Sequence, residues 1–312
     1  MRTMYLKSVM VILCLRGKAC GLRRESRIIM KKVWIVGSQG HMGQALLNFL
    51  DDTVYELFET DRDEVDIVDE AEVLLFMQRM RPDVVINCAG RNPYETKDCA
   101  DADTLYKVNA VGVRNLAQAA ESIQAKLIHL STDDVFSKQS DVPYNEFDPV
   151  SPGDLYGKSK EAGERFVTQL MTRYVIVRSS WIYGIGRDFL DVVIQAADDP
   201  NTKQLVLEEN ETAIPTSAEE LAKVIGMLIE GEHYGIYHAV CSGSPCTRKE
   251  YAEEILRLIG KEDQLEVCVK ESGKQPYSVL DNMMLRINDL PVPGDWRETL
   301  AEYITRTGGK QE

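Results

Sequence analysis

The sequence lacks what a membrane protein, a disulfide-stapled domain or a nucleic-acid binder would need. No apolar run in its 312 residues approaches the ~18–20 required to span a bilayer. Basic residues are in deficit: 36 Lys and Arg stand against 50 Asp and Glu, for a net charge of −14. A field of that sign repels phosphate backbones and anionic lipid, so neither nucleic acid nor a membrane surface is an expected partner. A nucleotide ligand remains compatible, because a site can be locally favourable inside an acidic protein. The seven cysteines (14, 20, 88, 99, 241, 246 and 268) are odd in number and form no CxxC pair. Such scattered thiols fit a reducing compartment, hence a cytoplasmic protein, better than a disulfide framework or a zinc site. No metal is expected, no serine–histidine or cysteine–histidine hydrolase pattern has motif support, and no internal repeat or low-complexity linker is present.

What is there reads as globular, at 44% hydrophobic and 28% charged residues, with a length suited to one large domain or two sharing an interface. Residues 1–29 stand apart. Their apolar stretch, 9–15, is marginal for a signal peptide, no small-x-small cleavage site is convincing, and a basic run follows. A disordered extension or a misassigned start is expected there. From Met30 onward strand and helix patterns alternate: strands at 33–36, 54–59, 83–87, 126–131 and 174–178, and helices at 42–50, 71–80, 108–124 and 156–171. That alternation predicts an α/β fold with a doubly wound parallel sheet of Rossmann type. Beyond Trp181 the rhythm loosens into helices at 188–197, 217–230 and 248–258, strands at 203–208, 235–239 and 264–269, and a final helix from Trp296 to about residue 305. The Ser217-x-x-Glu220 pair reads as a helix cap. The expected division is a dinucleotide-binding domain at 30–180 and, at 181–312, a mainly substrate-binding lobe interleaved with the end of the sheet.

Gly37-Ser-Gln-Gly40-His-Met-Gly43 lies directly after a strand and before a helix. Its glycines permit a tight turn, close backbone approach to a pyrophosphate, and helix-on-strand packing, while the helix start offers unpaired N–H groups. Asp61, eighteen residues after Gly43, is placed to accept from ribose hydroxyls. Its neighbour Arg62 suits a 2′-phosphate instead, so NADH and NADPH both stay open. Tyr156-Gly-Lys-Ser-Lys160 puts a phenol and an ammonium on one helix face. The ammonium favours the phenolate and suits the tyrosine to general acid or base work. Ser131-Thr132-Asp133 falls at the carboxyl end of a strand, the edge where open α/β sheets bind ligands, and Thr132 can hydrogen-bond a reacting carbonyl or the phenol.

In this order and spacing the GxxGxxG, Val108-Asn109-Ala110, Ser-Thr-Asp and YxxxK segments resemble the extended short-chain dehydrogenase/reductases. Narrower matches, namely PDVVIN at 82–87, STDDVF at 131–136, RSSWIYG at 178–184, IPT at 214–216, GIYH at 235–238 and SVLDN at 278–282, resemble the dTDP-4-dehydrorhamnose reductase family over about residues 31–304. The resemblance implies reduction of a nucleotide-linked ketosugar by NADH or NADPH. It implies Tyr156 as proton donor, Lys160 on the nicotinamide ribose, and Thr132 tuning the tyrosine. Thr132, Asp133 and Trp181 would touch the sugar nucleotide. Gly40, His41 and Met42 would face the pyrophosphate, Asp66 and Ile67 the adenine, and Ala89, Gly90 and Arg91 the cofactor ribose. Trp181 is expected to offer an apolar ring face to the sugar. A homodimer is the assembly considered, with the oligomer otherwise open. Departures fall near the expected cleft: Asp134 where the family has tyrosine, an altered segment at 91–101, and Gln275 before Pro276 where arginine is usual. The rivals are another sugar-nucleotide epimerase, dehydratase or reductase, which the Asp133-Asp134 doublet keeps open, and a non-catalytic module resembling the regulatory beta subunit of methionine adenosyltransferase. His129, His238 and Trp296 read as packing residues.

Overall fold

The computed structural model describes residues 30–92, 101–270 and 275–308. Residues 1–29, Cys14, Cys20 and Cys99, and most of the altered 91–101 segment lie outside that range. At the sheet edge β2 (Tyr55–Thr60) is partly exposed and carries Glu56 and Glu59, while short, largely apolar runs become β1 (Lys31–Val36), β3 (Val84–Asn87), β4 (Lys126–Thr132) and β5 (Tyr174–Ser179). Both faces of a parallel sheet are covered by crossover helices, so such strands carry hydrophobic residues continuously rather than alternately. With Gly235–His238 they form one six-stranded sheet, ordered Gly235–His238, β5, β4, β3, β1, β2, and every pairing in it is parallel. Strand order reverses between β1 and β3, the crevice where doubly wound sheets take ligands.

Side chains alternate across the sheet into two cores. Val33, Ile35, Ile86 and Ile128 pack beneath α1 (His41–Phe49) and the later helix Ala218–Glu230. Trp34, Val85, Leu127 and Ile176 pack on the opposite face with residues of α2 (Glu70–Met80), α4 (Val113–Ile123) and α5 (Leu155–Leu170). Trp34 is wholly buried and satisfies its indole N–H on Thr60 Oγ1 at 2.9 Å, as a buried Trp needs to. A third core joins Phe136 and Tyr144 to Tyr183, Tyr251 and Trp296. The C-terminal helix Trp296–Thr307 and the helix Arg248–Leu258 both belong to it.

The helix expected at 108–124 begins earlier and is not uniform. An α-helical turn, α3 (Ala102–Tyr106), runs into a π-helical stretch, Lys107–Gly112, before α4. Extra-residue turns of this kind cluster at functional sites, and this one carries Asn109. The cap at Ser217 is only half formed. Ser217 Oγ accepts from Glu220 N at 3.5 Å, whereas the Glu220 carboxylate turns to Lys223 and to Gly294 N. The complete capping box stands instead at Thr247 and Glu250. Three shorter details fell below sequence resolution: the helix Met283–Ile287 and the two-residue pairings Ile182–Tyr183 with Thr216–Ser217 and Cys246–Thr247 with Thr212–Ala213. Among the described residues no helix is long and apolar enough to cross a membrane, and Cys88, Cys241, Cys246 and Cys268 are free thiols.

Candidate active site

The glycine loop closes the end of β1 against β3. Gly37 has φ +77°, and a Cβ there would lie 2.7 Å from Ala89 N, so a side chain is excluded by conformation and by space. A Cβ on Gly43 would lie 2.4 Å from the Gly37 carbonyl oxygen, which lets α1 start directly against the loop. Gly40 is the helix N-cap, with no side-chain cap and no acidic residue in the first turn. The N-terminal N–H groups and the positive end of the helix dipole are therefore open to an anion. Met42 departs from expectation: its side chain is 5% exposed, in the core, so only its backbone belongs to the loop. The His41 ring lies against Gly186, where a Cβ would come within 2.3 Å of it.

At the end of β2, Asp61 accepts from Gln39 N of the same loop at 3.2 Å and from Arg62 N at 2.8 Å. Arg62 is exposed and reaches Asp66 at 3.6 Å. Asp66 accepts from Val68 N. Ile67 is buried beneath Gly112, and its carbonyl accepts from Asn115 Nδ2 at 3.0 Å. These residues follow β2, and Ala89, Gly90 and Arg91 follow β3.

Asn109 ties the β3 side to α5. Its amide oxygen accepts from Arg91 N at 2.8 Å, and its Nδ2 donates to Arg91 O at 3.0 Å and to Ser159 Oγ at 2.9 Å. Ser159 Oγ in turn donates to Tyr156 O at 2.7 Å. The turn bearing the half-buried Tyr156 is thereby fixed to the Gly90 loop. On its other side a Cβ at Gly157 would lie 2.1 Å from Asp134 O, so α5 starts in direct contact with the Thr132–Asp134 turn. Lys160 is buried and donates from Nζ to Leu130 O at 2.7 Å. Burial pulls its ammonium down to about 8 against the charge of Glu164. A Cβ on Gly90 would lie 3.8 Å from Lys160 Nζ, so the lysine and the loop are neighbours. His129 is buried, with Nδ1 3.0 Å from Asn87 Nδ2, and burial holds it well below the usual histidine range.

Thr132 is held by its own chain. Its hydroxyl lies 2.8 Å from Asp134 Oδ2 and 3.1 Å from Asp133 Oδ1, and accepts from Asp134 N at 3.2 Å. Burial, with the neighbouring Asp134 and Glu211 carboxyls, pushes Asp133 up from the ordinary carboxylate range. An ionic chain leads away from this turn: Lys138 Nζ sits 2.5 Å from Asp134 Oδ1 and 2.7 Å from Glu211 Oε1, and Glu211 Oε2 lies 3.9 Å from Arg248. The Arg248 guanidinium stacks 3.5 Å over the Trp181 ring, whose centroid is 6.1 Å from that of Tyr251. One face of Trp181 is thus covered by a cation, where an apolar ring face was expected. Trp181 also has φ +42°, a strained conformation for a bulky residue and one that clusters at functional sites. Sequence reading missed Lys138, Glu211 and Arg248, which no local spacing connects. Glu164, which closes a bidentate pair on Arg178, was findable one helical turn from Lys160.

The sequence matches the family described as RmlD substrate binding domain over residues 30–308. It is 32% identical over 282 residues to the spore coat polysaccharide biosynthesis protein SpsK of Bacillus subtilis, covering 88% of this chain and 97% of that one. A dTDP-4-dehydrorhamnose reductase of Clostridium acetobutylicum superposes with a TM-score of 0.82 at 36% identity, covering 89% of this chain and 99% of the other. The dTDP-4-dehydrorhamnose reductase of Bacillus anthracis, solved in complex with NADP, gives a TM-score of 0.82 at 30% identity, with 89% and 100% covered. Family, sequence and fold agree along nearly the whole described length: the chain belongs to the dTDP-4-dehydrorhamnose reductase family.

Proposed function

We propose that the protein reduces the C4 ketone of dTDP-4-dehydro-6-deoxy-L-mannose to give dTDP-L-rhamnose, using NADPH or NADH. The observation that carries this reading is the convergence of the glycine loop, Lys160, Thr132 and the Tyr156 turn on one sheet edge. The tight turn at Gly37 and Gly43, where any Cβ would strike neighbouring backbone, and the uncapped α1 N-terminus it leads into fit a dinucleotide pyrophosphate. Gly37, Gly40, Gly43, the backbone of His41 and Met42, Asp61, Asp66, Ile67, Ala89, Gly90 and Arg91 would hold the cofactor. When bound, the reduced nicotinamide supplies a hydride. Tyr156 gives its phenolic proton to the ketone oxygen. Lys160 holds the nicotinamide ribose and, once charged, favours the phenolate left behind. Thr132, Asp133 and Trp181 contact the sugar. Such chemistry belongs with soluble cofactor pools, and we place the protein in the cytoplasm.

The test is consumption of NADPH and NADH on addition of this ketosugar, with the product identified as dTDP-L-rhamnose. Tight dinucleotide binding without this product, but with turnover of another nucleotide-linked ketosugar, refutes the substrate. For the cofactor, the Asp61 carboxylate repels a 2′-phosphate and accepts from a 2′-hydroxyl. Asp61→Ala is expected to shift the NADPH/NADH ratio of kcat/KM toward NADPH by about tenfold, as loss of one charged hydrogen bond allows. A wild type that already prefers NADPH tenfold assigns the position to Arg62 instead.

A further inference from the structure

We propose that Asp134 makes Thr132 an acceptor-only contact in the cleft, so that this chain selects ketosugars with a free hydroxyl on the carbon beside the carbonyl. The inference rests on the reductase reading above and names a specificity determinant within it. A threonine hydroxyl has one proton to give and two lone pairs to accept with. Thr132 Oγ1 has its proton directed at carboxylate oxygen, 2.8 Å away on Asp134 and 3.1 Å away on Asp133. One lone pair is taken by Asp134 N at 3.2 Å. What remains for a ligand is a single lone pair.

A salt bridge holds the Asp134 carboxylate in place to take that proton. Lys138 Nζ lies 2.5 Å from Asp134 Oδ1, and Lys138 is itself fixed by Glu211 at 2.7 Å. Glu211 is placed in turn by Arg248, stacked on Trp181. The salt-bridged Asp134 carboxylate is thus a stronger acceptor than a neutral group. A ketone oxygen has no proton and gains nothing from a lone pair, so Thr132 cannot stabilise it directly while its own proton lies on Asp134. The ketone relies on Tyr156 for its hydrogen bond. A hydroxyl adjacent to the ketone, by contrast, donates well to an oxygen whose own proton is drawn toward a carboxylate, because chained hydrogen bonds polarise one another. Asp134 is therefore a positioning residue: it reaches the substrate only through Thr132.

The experiment compares kcat/KM for dTDP-4-dehydro-6-deoxy-L-mannose and its 3-deoxy counterpart in the wild type, Asp134→Asn and Asp134→Ala, with thermal melting to confirm folding. The wild type is expected to favour the hydroxylated sugar by about tenfold to a hundredfold, the range for one charge-assisted hydrogen bond. Asp134→Ala removes the nearer of the two acceptors of the Thr132 proton, leaving only Asp133 at 3.1 Å, and is expected to narrow that preference to about threefold or less. Asp134→Asn, isosteric and a neutral acceptor, falls between, and carries the test if the alanine variant does not fold. Equal use of both sugars by the wild type, or an unchanged preference in the Asp134 variants, overturns this proposal alone. Reduction of neither sugar overturns the reductase reading and this proposal with it.

Discussion

Tyr156→Phe is expected to lower kcat by at least ~10²-fold while leaving cofactor affinity near that of the wild type. The substitution removes only the phenolic oxygen. The backbone of Tyr156 stays tied through Ser159 and Asn109 to the Gly90 loop, and the adjoining Gly157 keeps its contact with Asp134 O. The half-buried ring itself is preserved. None of the cofactor contacts proposed at the glycine loop and Asp61 uses the phenolic oxygen. Stopped-flow binding together with steady-state turnover separates the two effects. Wild-type kcat in this variant would remove Tyr156 from the mechanism and leave the ketone oxygen without a proton donor.

A stability effect of comparable weight is expected at Glu164. Its carboxylate grips Arg178 through two bonds, Nε to Oε1 at 2.9 Å and Nη2 to Oε2 at 2.6 Å, with both side chains at most 5% exposed. Arg178 lies on β5 and Glu164 on α5, so the pair clamps the helix that carries Tyr156 and Lys160 onto the sheet. Glu164→Ala strands a guanidinium in the interior, flanked by the Phe136 ring at 5.2 Å. Breaking one side of such a buried pair costs about 3–5 kcal/mol. Urea unfolding should report that loss. Removing the carboxylate also takes away a charge that supports the ammonium of Lys160. A change below about 1 kcal/mol, the level of an exposed pair, would contradict this assignment.

Much of the fold was legible because its signals are local. Runs such as VVIN in β3 are apolar on both faces, which marks a strand covered on both sides, and the glycine spacing after β1 fixes the first crossover. Tyr156 and Lys160 are one helical turn apart and announce themselves. The misses share a physical cause, which is competition from residues far along the chain. Glu220 fails to close its capping box because Gly294 N and Lys223 hold its carboxylate. The π-helical turn at Lys107–Gly112 hides in an apolar pattern, since one added residue shifts the period without changing composition. It packs against α5 so closely that a Cβ on Gly163 would lie 2.3 Å from Asn109 O. Trp181 was read as offering an apolar ring face to a sugar, and its backbone strain and cationic neighbour lay beyond that reading. Its positive φ and the Arg248 guanidinium above it come from tertiary contacts that no motif encodes. Asp134 was visible as a departure from its family, but its effect on Thr132 depends on Lys138 and Glu211, which only the folded chain brings together.

The central claim is hydride delivery to C4 with Tyr156 as the proton source. The most direct measurement is reduction of dTDP-4-dehydro-6-deoxy-L-mannose with the transferable position of NADPH or NADH deuterated, followed by NMR of the product. One deuterium per sugar is expected, at C4 of dTDP-L-rhamnose, formed by the wild type and suppressed in Tyr156→Phe. Deuterium at another carbon, or an epimerised or dehydrated ketosugar formed without net cofactor oxidation, would contradict that claim.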